Sequence, residues 1–130
     1  MDLGAHLASG LSVSLGSDIA GGPDISMVRV ARAMIETVKH LRLRGHSDRR
    51  FPSAASAWWQ ITAGNAGAIG LQSHGSLRAG APADLVLMRP TDRAWLTAPH
   101  HPDPLAALLY SFDERCIQHT LVLGRIAHSR

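Results

Sequence analysis

Leu11-Ser12-Val13-Ser14-Leu15-Gly16-Ser17-Asp18-Ile19-Ala20-Gly21-Gly22 is the stretch on which the reading of this chain turns. Apolar residues alternate at Leu11, Val13 and Leu15, the period of a strand. Gly16 then allows a tight turn, and Asp18 is left at the strand's C-terminal end, opening into a glycine-rich loop. An aspartate beside glycines is also ordinary turn chemistry, so the local pattern leaves two readings open: a functional carboxylate or a turn cap.

Working outward, Pro23 ends the loop, and Asp24 or Ser26 offers a cap for a helix from about Ser26 to Arg44. Met27, Val30, Ala31, Met34, Ile35, Val38 and Leu41 form one apolar stripe at three- and four-residue steps. On the polar side Glu36 is placed to pair with Lys39 or His40. A strand feeding such a helix is one β/α unit. On the N-terminal side, residues 3–9 read as the tail of a helix stopped by Gly10.

Further along, Ser53 caps a second helix carrying Ala54, Ala57, Trp58 and Ile61. Gly64-Asn65 is expected to break it, with Asn65 capping a short turn over 66–69. Trp58 and Trp59 read as packing residues. From Gly75 onward the texture becomes strand-like, at Asp84 to Met88, Ile117 to Leu123 and Ile126 to Ser129, with a turn at Gly124-Arg125. A proline- and histidine-rich loop over 99–104 and a short helix over 105–110 lie between them. The texture boundary falls near His74-Gly75.

Composition bounds the rest. The chain has 130 residues, enough for one modest domain, and 45% of them are hydrophobic. No apolar run approaches the roughly 20 residues of a membrane span, and the first residues lack the pattern of a signal peptide. The single cysteine, Cys116, has no internal disulfide partner, which fits a reducing compartment, the cytoplasm by default. Thirteen Lys and Arg against ten Asp and Glu give a net charge of +3. The dense basic region is Lys39, His40, Arg42, Arg44, His46, Arg49 and Arg50. It reads as a solvated helix end, because aromatics interleaved among the cations, as nucleic-acid binding would want, are lacking and Phe51 stands alone. A basic binding module is the weakest of the functional readings.

The run Gly16-Ser17-Asp18-Ile19-Ala20-Gly21-Gly22, followed by Ser26-Met27, resembles the last barrel strand and loop of metal-dependent amidohydrolases, and among them the guanine deaminases. The resemblance continues through Trp58-Trp59-Gln60-Ile61-Thr62-Ala63-Gly64-Asn65-Ala66 and through the segment from Gly75 to Leu87. It implies an α/β chain: a C-terminal fragment of a (β/α)8 barrel over residues 1–74, with strands of an accessory β-sandwich over 75–130. A complete barrel needs about 250 residues, so the resemblance implies only the C-terminal part of such an enzyme.

By the same resemblance Asp18 is both a metal ligand and the catalytic proton shuttle, at the strand end where barrel active sites converge. The metal would be zinc or iron, the substrate a purine or related heterocycle, and the reaction hydrolytic deamination, guanine giving xanthine and ammonia. The complete enzyme would be a homo-oligomer. The family's remaining ligands are histidines, and these are not placed here. No His-x-His occurs, and adjacent His100 and His101 would point to opposite faces of a strand. His40, His46, His119 and His128 are read as surface or supporting residues. A complementary N-terminal segment is therefore an expected partner, and the isolated chain is not expected to bind metal tightly. The alternative is a non-catalytic truncated or split fragment. Asp84, in Gly80-Ala81-Pro82-Ala83-Asp84-Leu85-Val86, is read as structural, and Gly21-Gly22 either as the lining of a substrate mouth or as loop geometry.

Overall fold

A computed structural model describes residues 3–46, 51–89 and 103–130. A short helix α1 (Leu3–Ala8) precedes the 11–18 segment, which leads into the long helix α2 (Met27–Leu43). Next come α3 (Ala54–Trp59), a π-turn (Gln60–Gly64) and α4 (Asn65–Ala68) in unbroken succession. Strand β1 (Leu85–Met88), helix α5 (Pro104–Ser111), a 3-10 turn (Glu114–Cys116), and strands β2 (Ile117–Val122) and β3 (Arg125–Ser129) complete the described elements. The chain is α/β, with one three-stranded antiparallel sheet in the order β1-β2-β3.

The helical layer is built on small residues. Ala31 and Ile35 of α2, Ala54 and Ala57 of α3, and Leu109 of α5 form the buried cluster, with Trp58 and Ile61 packed against it. Alanines at the crossings let the helices approach closely, and Ile35 and Leu109 fill the space between them. The indole N–H of Trp58 donates to the Leu105 carbonyl (3.0 Å), tying α3 to α5. Trp59 departs from the packing expectation. It is 59% exposed, and its ring covers Gly64, where an added Cβ would lie 2.8 Å from a ring carbon.

The apolar stripe of α2 behaves as its spacing predicts: Val30, Ala31, Ile35 and Val38 are buried. Its charge pairing differs from expectation. Glu36 pairs back with Arg32 at 2.7 Å, while Lys39 turns to the Tyr110 hydroxyl (3.2 Å). The rings of Tyr110 on α5 and Phe51 lie beneath these cations: Lys39 stands over both, Arg32 over Tyr110 and Arg42 over Phe51. Part of the basic patch is thus spent on contacts within the chain.

Asp24 caps the entry to α2 by accepting the Ser26 backbone N–H (2.8 Å) and the Arg29 guanidinium (2.9 Å). These two partners, the Ser26 N–H foremost, hold its carboxyl below the usual carboxylate range. Arg29 also reaches Glu114 at 2.9 Å, linking the start of α2 to the turn before β2.

Two expectations need correction. The segment from Leu11 to Ser17 finds no ladder partner among the described residues. Its burial still alternates, with Val13, Leu15 and Ser17 turned inward and their neighbours outward, and side-chain amides take three of its backbone groups, at Val13 and Leu15. Gly64-Asn65 does not break the second helix either. Both residues are right-handed helical, and the widened π-turn carries the chain through them.

The β2–β3 hairpin turns on Leu123-Gly124, one residue earlier than the sequence pattern indicates. Positive φ at both residues (50° and 78°) makes it a type I′ turn. Asp84, just before β1, accepts the Leu123 N–H (2.7 Å), and Gly124 N donates to the Ala83 carbonyl (3.0 Å). The structural reading of Asp84 therefore has a concrete form: it clamps the hairpin turn to β1. Asp84→Ala is expected to lower stability by about 1 kcal/mol through loss of this bond. Leu123→Asn is expected to raise it by about 1 kcal/mol, since asparagine occupies the left-handed region with less strain than leucine. Thermal unfolding of the two variants beside the parent chain checks both signs. Among the described residues no helix is long and apolar enough to cross a membrane.

Candidate functional site

The site is built around one turn. Asp18 has φ +44°, a left-handed conformation that aspartate tolerates better than most residues. Its backbone carbonyl accepts the N–H of Gly21 (2.8 Å) and also that of Gly22, closing the loop back on itself. Ala20 is also left-handed (φ +77°), a conformation costing alanine on the order of 1–2 kcal/mol. The loop is held tightly enough to keep it there.

Two glycines make this turn possible by what they lack. A Cβ on Gly22 would fall 1.8 Å from the Ser17 carbonyl oxygen, inside any contact distance, so the loop closes here only over a bare backbone. A Cβ on Gly21 would stand 2.9 Å from Asp18 Oδ2. The Asp18 carboxylate therefore lies directly over Gly21, in space a larger residue would take. Of the two sequence readings of Gly21-Gly22, loop geometry accounts for both residues, and it is geometry that serves the carboxylate. Asp18 is exposed.

The segment leading to Asp18 is held by two amides from the helix that follows. Asn65 Nδ2 donates to the Leu15 carbonyl and its Oδ1 accepts the Leu15 N–H, both at 2.8 Å. Gln60 Nε2 donates to the Val13 carbonyl at 2.7 Å. Gln60 is only 5% exposed, a buried polar side chain in a mostly apolar helix. The sequence reading gave Gln60 no role and made Asn65 a helix cap. The available signal was an amide pair five residues apart, a spacing that an ordinary α-helix would spread over different faces.

The described histidines form no metal-binding cluster with Asp18. Among the described residues no three His, Cys, Asp or Glu side chains converge as a metal site would require. His74 lies 3.8 Å from Asp84, in the strand-rich part. His119 sits on β2 with its Nδ1 buried and without a hydrogen bond among the described residues. His40 and His46 lie at and beyond the end of α2, and His128 on β3. His100 and His101 fall outside the described residues. As a ligand set, this part of the chain offers the one carboxylate of Asp18, a hard oxygen donor suited to one position on a divalent ion.

A cavity of about 740 Å³ opens between the helical layer and the sheet, lined by Ile25, Met27, Trp58, Ile61, Leu85 and Leu121 among others. Its volume would suit a small heterocycle. Its walls are mainly apolar, and Asp18 is not part of its lining. It is a gap between packing layers and not the place where Asp18 could act.

Comparison with known proteins bears on this geometry. Residues 2–128 match the model of the amidohydrolase family. No curated protein sequence matches the chain. Among solved structures, guanine deaminase from E. coli aligns with a TM-score of 0.78 at 28% identity, covering 98% of this chain and 30% of that enzyme. The C. acetobutylicum guanine deaminase, solved with guanine bound in its active site, aligns at 0.78 and 25% identity, over 97% of this chain and 29% of that one. The Bradyrhizobium japonicum enzyme, at 22% identity and a TM-score of 0.77, supports the fold over the whole chain and 34% of its own length. The chain thus spans about a third of the length of the guanine deaminases it resembles. With the family match running almost end to end, this chain belongs to the amidohydrolase family.

Proposed function

We propose that this chain is the C-terminal part of a guanine-deaminase-like amidohydrolase, with residues 1–74 contributing to the β/α barrel and 75–130 to the accessory β-sandwich. The observation that carries the reading is the Asp18 turn. A carboxylate stands at the end of an inward-alternating segment, over a glycine, within a chain that aligns along nearly its full length with guanine deaminases.

In this reading Asp18 is one ligand of a divalent metal, zinc or iron, and the imidazoles completing the site come from an N-terminal segment. A metal so bound supplies a water whose pKa is lowered towards neutrality. Asp18 takes the proton from the attacking water and passes it to the departing amino nitrogen, so that water adds to the purine carbon and ammonia leaves. The water's second proton ends on the ring nitrogen next to the attacked carbon, which leaves the oxygen on that carbon as a carbonyl. Gly21 keeps the space around Asp18 Oδ2 open, and the closed loop fixes where the oxygen points. The lone cysteine and the family chemistry are in keeping with a cytoplasmic enzyme.

The test is reconstitution. The chain is joined to, or co-expressed with, a guanine deaminase N-terminal segment bearing the missing histidines, and ammonia release from guanine is measured with metal content. Stoichiometric metal and turnover in the assembled protein, with neither in the chain alone, is the expected result. An assembled, metal-loaded protein that does not turn over guanine would favour the alternative, a non-catalytic fragment.

A further inference from the structure

We infer that Gln60 and Asn65 are positioning residues for the Asp18 carboxylate, and that the π-turn between them exists to place both amides on one face. The inference rests on the reading of Asp18 as the reacting carboxylate.

A strand in a sheet is fixed when each backbone N–H and C=O finds a partner on its neighbours. Here one side chain does both for Leu15. Asn65 accepts from its N–H and donates to its C=O, the two-point exchange that a neighbouring strand would otherwise supply. Gln60 adds a third bond at Val13, two residues back and on the same inward-facing side. Leu15 is three residues before Asp18, so the last fixed backbone unit stands one tight turn from the carboxylate. The turn itself is locked by Gly21 and Gly22 on the Asp18 carbonyl.

The helix bears the mark of this arrangement. At 100° per residue, residues five apart in an α-helix differ by about 140° around the axis, so Gln60 and Asn65 would point in different directions. In the π-turn the Asn65 N–H donates to the Gln60 carbonyl, an i to i+5 bond that stacks one residue over the other. Gln60 Nε2 then lies 3.4 Å from Asn65 Oδ1, and the two amides meet the segment together. The Thr62 hydroxyl is within donating distance of the carbonyls of Trp58 (2.8 Å) and Trp59 (3.2 Å), one turn back on the same helix. A π-turn is a costly feature that recurs at functional sites. Here its consequence is legible in three hydrogen bonds to the segment that carries Asp18.

The experiment has two arms. In the full chain, amide hydrogen exchange at Leu15 reads the clamp without reference to activity. Asn65→Ala is expected to speed exchange there by about tenfold or more, and Gln60→Met, close in size, to leave the fold intact while loosening Val13. In the reconstituted enzyme each variant is expected to lower kcat about 10- to 100-fold per metal-loaded molecule, the scale of a misplaced reacting group, with KM within a few-fold. Because the amides act through Asp18, Asn65→Ala should cause little further loss in an Asp18→Asn background. A kcat loss that persists in full on top of Asp18→Asn overturns the positioning role, as does unchanged kcat once Leu15 has lost protection. Unchanged Leu15 exchange in Asn65→Ala overturns the clamp itself. Normal turnover in Asp18→Asn alone overturns the catalytic reading, and is distinguishable because the exchange arm does not depend on it.

Discussion

Asp18→Asn is expected to lower turnover of the reconstituted enzyme by about 10²- to 10⁴-fold, the usual worth of a positioned general base. The substitution suits the question because it changes so little else. Asparagine is as tolerant as aspartate of φ +44°. The bonds that close the loop run from Gly21 and Gly22 to the backbone carbonyl of residue 18, which the substitution leaves in place. What disappears is one negative charge and one proton-accepting oxygen. The measurement is turnover normalised to metal content, since a lost ligand also weakens metal binding. Asp84→Asn is the control. Its oxygen can still accept from the Leu123 N–H, so turnover per folded molecule should stay within a few-fold of the parent. If Asp18→Asn kept near-normal turnover while Asp84→Asn abolished it, the catalytic aspartate would have been misassigned.

Gly22→Ala should do nearly as much damage without touching a reactive atom. The new Cβ would meet the Ser17 carbonyl oxygen at 1.8 Å and the Ser17 carbonyl carbon at 2.9 Å, both backbone atoms that no side-chain rotation can move aside. The loop must open, and Asp18 moves with it. A displacement on the order of 1 Å at a reacting group costs about 10²-fold in rate. Because the loop lies outside the buried helical cluster, the thermal midpoint should fall far less than the activity does. Gly21→Ala makes the comparison informative. Its nearest clash, at 2.9 Å, is with the Asp18 carboxylate itself, which can swing away while the backbone stays put. That variant should fold as the parent does and still lose activity through a turned carboxylate. Full activity in Gly22→Ala would show that the closed loop is not what aims Asp18.

Much of the architecture was written in local pattern. The three- and four-residue spacing in α2 predicted its buried face, because a helix of fixed pitch has only one way to hide those side chains. Ser53 as a cap, the short helix before β2 and the three strands followed from equally local chemistry. Asp84 accepts the Leu123 N–H across 39 residues, a partner that no local pattern shows. Readings failed where a residue's partner lay far away in sequence. Glu36 had two cations within reach on the C-terminal side and took Arg32 on the other, since Lys39 was drawn to Tyr110 on α5. Asn65 looked like a cap because asparagine after glycine usually is one, yet its amide serves Leu15, 50 residues earlier.

The sequence by itself determined where α2, α5 and the three sheet strands lie, which face of α2 is apolar, and that Asp18 ends an alternating segment at a glycine turn. These depend on interactions a few residues long, which the order of residues dictates. Only the tertiary structure decided that Gly21 and Gly22 are needed for bare backbone space, that side-chain amides hold Val13 and Leu15 where the described residues offer no ladder, and that a π-turn brings Gln60 and Asn65 to one face. Those outcomes depend on where two distant stretches meet and at what angle. That is fixed by the packing of α2, α3 and α5 around their shared alanines.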